Sequence, residues 1–274
     1  MYPFASGADV RKNLDVMLRA MEQAAVQGVE LIVFHECALC GYPPIESDMC
    51  KMDWAQLDEA LERIARQAAR LRLCTAVGTV RRETGKRYNS VMLFGADGSR
   101  MGQYDKTALW GWDEENFAPG GLPGVFDVGG LRVGFRICFD VRFPEVFRPL
   151  FEEEADLCVV CFSDTSEKPD PERMGIIRSH LRTRAVENVM TVASVNSLSR
   201  CPTAPTAVFD PDGRVRCEQV GEGLLVCDVE KVASDFGRRG RRVNRERLLG
   251  LRQGCNCASK ARRASSCVLF SVRT

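Results

Sequence analysis

The sequence has 274 residues, 45% of them hydrophobic, enough to bury a sizeable core. It contains no apolar run of roughly 18 residues, so no membrane-spanning helix is expected. The net charge of +1 hides an uneven distribution: residues 236–274 carry eleven Lys and Arg against one acid, Glu246, so an acidic body precedes a basic tail.

The opening stretch MYPFASGADVRKN lacks the basic and apolar segments of a secretory signal. Val10, Leu14, Met17, Leu18, Met21 and Ala25 recur at helical spacing, with Gly28 as a C-cap. Leu31-Ile32-Val33-Phe34 reads as a buried strand ending at His35-Glu36. Trp54, Leu57, Leu61, Ile64, Ala68 and Leu71 predict a second amphipathic helix. Strands are expected near 74–80, 89–95 and 100–104, with Gly85 and Asp97-Gly98 as turns. The Gly- and Pro-rich segment 111–124 reads as a loop. Leu131 to Cys138 alternates like a strand, Pro144 opens a helix to about Glu153, and Leu157 to Phe162 is a buried strand. A helix over 171–188 follows Pro169-Asp170-Pro171. Strands near 189–195, 205–210, 214–220 and 223–229 complete the body. This alternation indicates an α/β fold: one domain over 1–235, then a tail over 236–274 that is disordered or packs on another subunit.

Three polar residues stand at or just past expected strand ends: Glu36 after LIVFHE, Lys106 after MGQYDK, and Cys138 after LRVGFRIC. Ligand sites of α/β sheets gather at such ends. A thiol must lose its proton to attack a carbonyl, and a carboxylate can take it. An ammonium can stabilise the thiolate and the oxyanion that follows. A Cys–His arrangement is poorly supported, because the only histidines are His35, beside Glu36, and His180, in a helix. From residue types alone, a structural ion pair between Glu36 and Lys106, and a core role for Cys138, are the alternatives.

Longer segments around these residues resemble the nitrilase superfamily of carbon–nitrogen hydrolases. LIVFHECALCGYPP is similar to its apolar strand, Glu and Gly-Tyr. GQYDKTALWGWDEENFAPG is similar to its Tyr-x-Lys and later Phe-x-Pro-Gly. GFRICFDVRFPE is very close to its Ile-Cys-Tyr-Asp-x-Arg-Phe-Pro-Glu, and RTRAVENVMTVASVN is like its Arg-Ala-x-Glu-Asn. The resemblance spans roughly residues 8–230.

It implies an α-β-β-α sandwich, with Glu36 as general base, Cys138 as nucleophile and Lys106 as oxyanion partner. It also implies a second carboxylate in the loop after the lysine: Glu114 matches best, with Asp113 and Glu115 as rivals. The backbone N–H of Phe139 would be the other oxyanion donor. Arg142 and Glu145 would form a structural ion pair. By position alone, Phe139, Trp110, Phe162 and Ser163 are expected to line the substrate pocket. No metal or cofactor is implied, and subunits would pair as a homodimer or higher homo-oligomer. The family's opening strand, Val-Ala-x-x-Gln, is expected to be cut short here, leaving a central strand missing.

The implied activity is hydrolysis of a small carboxamide or N-carbamoyl compound through a cysteine thioester. Cys138-Phe139-Asp140 is similar to the amidase-like branches, whereas nitrilases proper show Trp-Glu after the cysteine. A nitrilase and a non-catalytic binding member of the same fold are the competing readings. Thirteen cysteines at irregular spacing read as mostly reduced thiols in a cytoplasmic protein. Cys37/Cys40 and Cys158/Cys161 have metal-ligand spacing, but core packing is preferred, and Cys255-Asn256-Cys257 reads as incidental tail thiols. The tail lacks the interleaved aromatics of a nucleic-acid binder, so nucleic acid is not expected as a partner.

Overall fold

The computed structural model describes residues 1–121, 123–231 and 236–255. The chain divides into two units, Met1–Val232 and Ala233–Thr274. In the second, α6 (Phe236–Cys255) is a helix where sequence allowed disorder; the end of the tail, with Asn256 and Cys257, lies outside the described residues.

The first unit begins with helix α1 (Val10–Val26), capped by the Asp9 carboxylate, which accepts the N–H groups of Arg11 and Lys12. Strand β1 (Leu31–Val33) follows, then α2 (Trp54–Leu71), capped by Asp53. Strands β2 (Cys74–Glu83), β3 (Lys86–Phe94) and β4 (Arg100–Asp105) complete a four-stranded sheet in the order β1-β2-β3-β4. A short helix, α3 (Trp112–Asn116), lies inside the segment expected to be all loop. Then come β5 (Val125–Val128), β6 (Leu131–Ile137), a 3-10 turn over Cys138–Arg142, α4 (Pro144–Glu152) and β7 (Leu157–Phe162). A two-residue strand β8 (Thr165–Ser166), helix α5 (Pro171–Asn188), β9 (Thr191–Asn196), the two-residue β10 (Cys201–Pro202), β11 (Thr206–Phe209) and β12 (Val215–Gln219) follow. The second sheet runs β12-β11-β9-β7-β6-β5, and β8 pairs with β10 apart from it.

The layers follow from strand alternation. Ile32 packs outward with Leu14, Met17 and Met21 of α1 and Ile64 and Ala68 of α2. Val33, the next residue, packs inward with Val133, Phe135 and Val159 of the other sheet. On the second sheet Cys158, Val160 and Phe162 face Phe147, Leu150, Ile177 and Leu181 of α4 and α5, while Val159 and Cys161 face inward. The result is the expected α-β-β-α sandwich. It also separates Cys158 from Cys161, which occupy opposite faces of β7.

Two strand expectations need correction. Residues 223–229 form no strand; Leu225 instead exchanges hydrogen bonds with Met1, N–H to carbonyl and terminal amine to carbonyl, each at 3.0 Å. The opening strand expected to be missing is represented by one parallel bridge, Tyr2 with Phe34, in which the Tyr2 N–H reaches the Val33 carbonyl at 3.1 Å.

Candidate active site

The C-terminal ends of β1, β4, β6 and β7 converge, and each delivers one polar group. Just past β1, Glu36 is 1% exposed, and just past β4, Lys106 is equally buried. Their side chains meet at 2.9 Å. The Glu36 carboxylate is fully engaged: Oε1 accepts from Lys106 Nζ and, at 2.7 Å, from Asn89 Nδ2, while Oε2 accepts the Ser163 backbone N–H at 2.7 Å.

Lys106 has a second carboxylate, Asp113, at 2.7 Å. Asp113 is completely buried and also accepts from the Tyr42 hydroxyl at 2.8 Å and the Trp110 backbone N–H at 3.2 Å. The second carboxylate on the lysine is therefore Asp113, and the expectation that Glu114 sits there is corrected. The cause is helical rotation: Asp113 and Glu114 are consecutive in α3, about 100° apart around its axis, so when one points inward the other is turned to solvent. Glu114 and Glu115 are both exposed.

Cys138 sits where β6 breaks into the 3-10 turn, with φ +45°, a left-handed conformation unusual for a residue with a side chain. The turn is held by Asp140, a fully buried carboxylate. Its Oδ2 accepts the Ile137 N–H at 2.9 Å and the Tyr104 hydroxyl at 2.8 Å, and its Oδ1 accepts the Ala108 N–H at 2.7 Å. The turn that carries Cys138 is thus tied directly to the loop after Lys106. Cys138 itself is only half-buried, unlike Cys37, Cys40, Cys158 and Cys161.

These contacts set the charge states. Burial pushes the Cys138 thiol well above its ordinary value; Glu36 adds to the rise and Lys106 opposes it. The resting group is a thiol, so attack requires a base. Glu36 is also raised, by burial and by Asp113, against the pull of Lys106 and Asn89. Burial alone would lower Lys106, but Glu36, Cys138, Asp113 and Tyr42 outweigh it, and its pKa rises well above the ordinary value. Lys106 is therefore a cation throughout the neutral range.

The expected pocket residues are placed less uniformly. Ser163 adjoins Glu36 through its backbone N–H, and its hydroxyl donates to Glu46 at 3.3 Å. Phe139 is half-buried, its ring against Phe143 at 5.1 Å and under the Arg142 guanidinium. Arg142 makes this contact rather than an ion pair with Glu145. Trp110 is 46% exposed and edges onto Trp112. Phe162 is a correction: it is fully buried among the side chains of α4 and α5, because alternation along β7 turns it away from the end where Ser163 lies. Sequence reasoning missed Asn89, Tyr42 and the bridging role of Asp140. Tyr42 and Asp140 lay inside recognised motifs, whereas nothing local marked Asn89.

Among the described residues no group of three or more His, Cys, Asp or Glu side chains is arranged to hold a metal ion, and no helix is long and apolar enough to cross a membrane.

Comparison with known proteins matches the carbon–nitrogen hydrolase family model over residues 4–235. A hydrolase of Mycobacterium tuberculosis is 30% identical over 200 residues, covering 69% of this chain and 68% of the relative. An (R)-stereoselective amidase of a Pseudomonas species is 29% identical over 223 residues, covering 77% and 76%. The amidase of Nesterenkonia sp. AN1 has a similar structure, with a TM-score of 0.76 and 27% identity over 91% of this chain and 97% of that one. A mutant of that amidase carries the acetamide moiety of fluoroacetamide covalently on its active-site cysteine (TM-score 0.76, 27% identity, 90% of this chain and 94% of that one).

Proposed function

The chain belongs to the carbon–nitrogen hydrolase family, and we propose that it hydrolyses the C–N bond of a small carboxamide or N-carbamoyl compound through a thioester on Cys138. The observation that carries this reading is the buried Glu36–Lys106 pair beside a half-buried thiol on a strained turn. The adduct on the active-site cysteine of the Nesterenkonia amidase supports it.

In the first half-reaction Glu36 takes the Cys138 proton, and the thiolate forms a C–S bond to the substrate carbon. The carbonyl oxygen becomes an oxyanion. Lys106 donates to it, together with the Phe139 backbone N–H, a first-turn group with no acceptor inside its own 3-10 helix. As the C–N bond breaks, Glu36 returns the proton to the departing nitrogen, which leaves as ammonia or an amine. In the second half, Glu36 accepts a proton from water, hydroxide adds to the thioester, and the C–S bond breaks as the proton returns to sulfur. Asp113, which accepts from both Lys106 and the Tyr42 hydroxyl, orients the ammonium.

Two further readings accompany this one. The exposed side of α5, with Gly175, Ile176, Ser179, His180 and Thr183, suits a second copy of the chain. The ten cysteines from Cys37 to Cys227 are free thiols, which suits a reducing, cytoplasmic setting.

The test is a screen of carboxamides, N-carbamoyl compounds and nitriles against the wild type and Cys138→Ala. Ammonia or amine release from amides, lost in the variant, supports the reading. Turnover of nitriles alone makes the protein a nitrilase, and equal null results for both proteins make it a binding member of the fold.

A further inference from the structure

We infer that Asn89 and Cys37 act as a positioning pair: Asn89 fixes Glu36 and Lys106 relative to each other, and the Cys37 thiol sets which way round the Asn89 amide lies. This rests on the reading of Glu36 as the base.

Asn89 lies in β3 and is 1% exposed. It grips both partners at once. Its backbone carbonyl accepts the Lys106 N–H at 2.8 Å, and its Nδ2 donates to Glu36 Oε1 at 2.7 Å. That same carboxylate oxygen accepts Lys106 Nζ at 2.9 Å. Base, lysine and asparagine thus close a loop containing one backbone and two side-chain hydrogen bonds. Any shift of Asn89 moves the base relative to the ammonium.

A carboxamide has two ends of almost the same size, one a donor and one an acceptor. Reversed, Asn89 would set its oxygen against the Glu36 carboxylate, acceptor facing acceptor. Cys37 opposes that reversal, because its thiol donates to Asn89 Oδ1 at 3.6 Å. The backbone that carries the thiol is itself held in place. Cys37 has φ +50°, and its carbonyl accepts the N–H groups of Cys40 at 3.1 Å and Gly41 at 2.8 Å. A thiol is a weak donor, but this one is wholly buried, and no solvent competes with it.

The consequence falls on the proton inventory of the base. A hydrogen bond donated to a carboxylate favours its ionised form. Burial and Asp113 push Glu36 toward protonation, and Asn89 counters them. With Asn89 in place, Glu36 is ionised and able to take the Cys138 proton at lower pH than it otherwise would be.

The experiment compares Asn89→Ala, Cys37→Ala and Cys37→Ser with the wild type on the best amide of the screen. It reads kcat/KM and KM across pH, with circular dichroism as a control for folding. For Asn89→Ala, the acidic limb of the profile should move upward by about one pH unit, kcat should fall about 10- to 100-fold, and KM should change far less. Cys37→Ala should move the limb in the same direction by a smaller amount, and Cys37→Ser, which keeps a donor, should restore it. A folded Cys37→Ala protein with an unmoved limb overturns the thiol's part, and a folded Asn89→Ala protein with an unmoved limb overturns the whole. Iodoacetamide alkylation of Cys138 against pH reads the same base without substrate. If no amide is turned over but Asn89→Ala still displaces that alkylation profile, the proposed function fails while the positioning pair stands.

Discussion

The backbone N–H of Ser163 reaches the Glu36 carboxylate at 2.7 Å across the boundary between the two sheets. Glu36 follows a strand of the four-stranded sheet and Ser163 a strand of the six-stranded one. The proposed base is therefore held from both halves of the sandwich, and the proposed nucleophile, Cys138, belongs to the half opposite its own.

Removing the sulfur should abolish turnover without disturbing the fold. Cys138→Ala is expected to lower kcat/KM by about 10⁴-fold or more while leaving the thermal midpoint nearly unchanged. In the wild type, iodoacetamide should modify Cys138 well before Cys37, Cys40, Cys158 and Cys161, which are all 0% exposed. Peptide mass spectrometry after brief labelling gives the order.

Lys106 is a different case, because it neutralises two buried acids. Lys106→Met leaves Glu36 and Asp113 without their shared cation. The expected cost is about 3–5 kcal/mol of stability together with loss of activity. Urea denaturation measures the first and amide hydrolysis the second. Unchanged stability would mean that the pair is not buried as described.

Asp113 and Glu114 separate geometry from sequence spacing. Asp113→Ala strips Lys106 and Tyr42 of a common partner and should reduce kcat about 100-fold or more. Glu114→Ala removes an exposed carboxylate and should stay within about twofold of wild type. Side-by-side rate measurements decide between them, and the reverse ranking would restore Glu114 to the lysine.

His35 makes stability depend on pH. Burial lowers its pKa to about 4 from an ordinary 6.5. Between those values the unfolded chain binds a proton that the folded chain refuses, so stability falls as pH drops through this window. The stabilisation is fully present above about pH 6.5 and is worth about 3 kcal/mol when complete. A His35→Gln variant should show a flatter thermal midpoint between pH 7 and pH 4.5 than the wild type does.

Much of this architecture could be read from the chain. Helices α1 and α2 were legible because each has apolar residues at helical spacing, and α5 because Pro169-Asp170-Pro171 precedes it; in the structure each begins at a capping Asp. Strands β6 and β7 were legible from alternation and continuous burial. Residues 223–229 misled because Leu224, Leu225 and Val226 read as strand formers, but among the described residues the backbone of Leu225 pairs with the single residue Met1. Glu36, Lys106 and Cys138 each stood out inside a local motif. Asn89 did not, and Asp113 stood there only as a rival to Glu114, because their roles come from strand register and helix rotation, and neither quantity is written in a short window of sequence. Gly78 is similar: a Cβ there would lie 1.8 Å from the His35 carbonyl oxygen, a close approach invisible until β2 is laid beside the segment carrying the base.

Asp140 acts as a rivet between the two slabs, joined on one side to the bend that carries the sulfur and on the other to the loop beyond the ammonium. Heat that loosens this rivet would misalign the reacting groups while helices and strands are still intact. Turnover should consequently fade several degrees below the temperature at which ellipticity is lost, making catalysis a finer gauge of how tightly the slabs are clamped than any spectrum of the backbone.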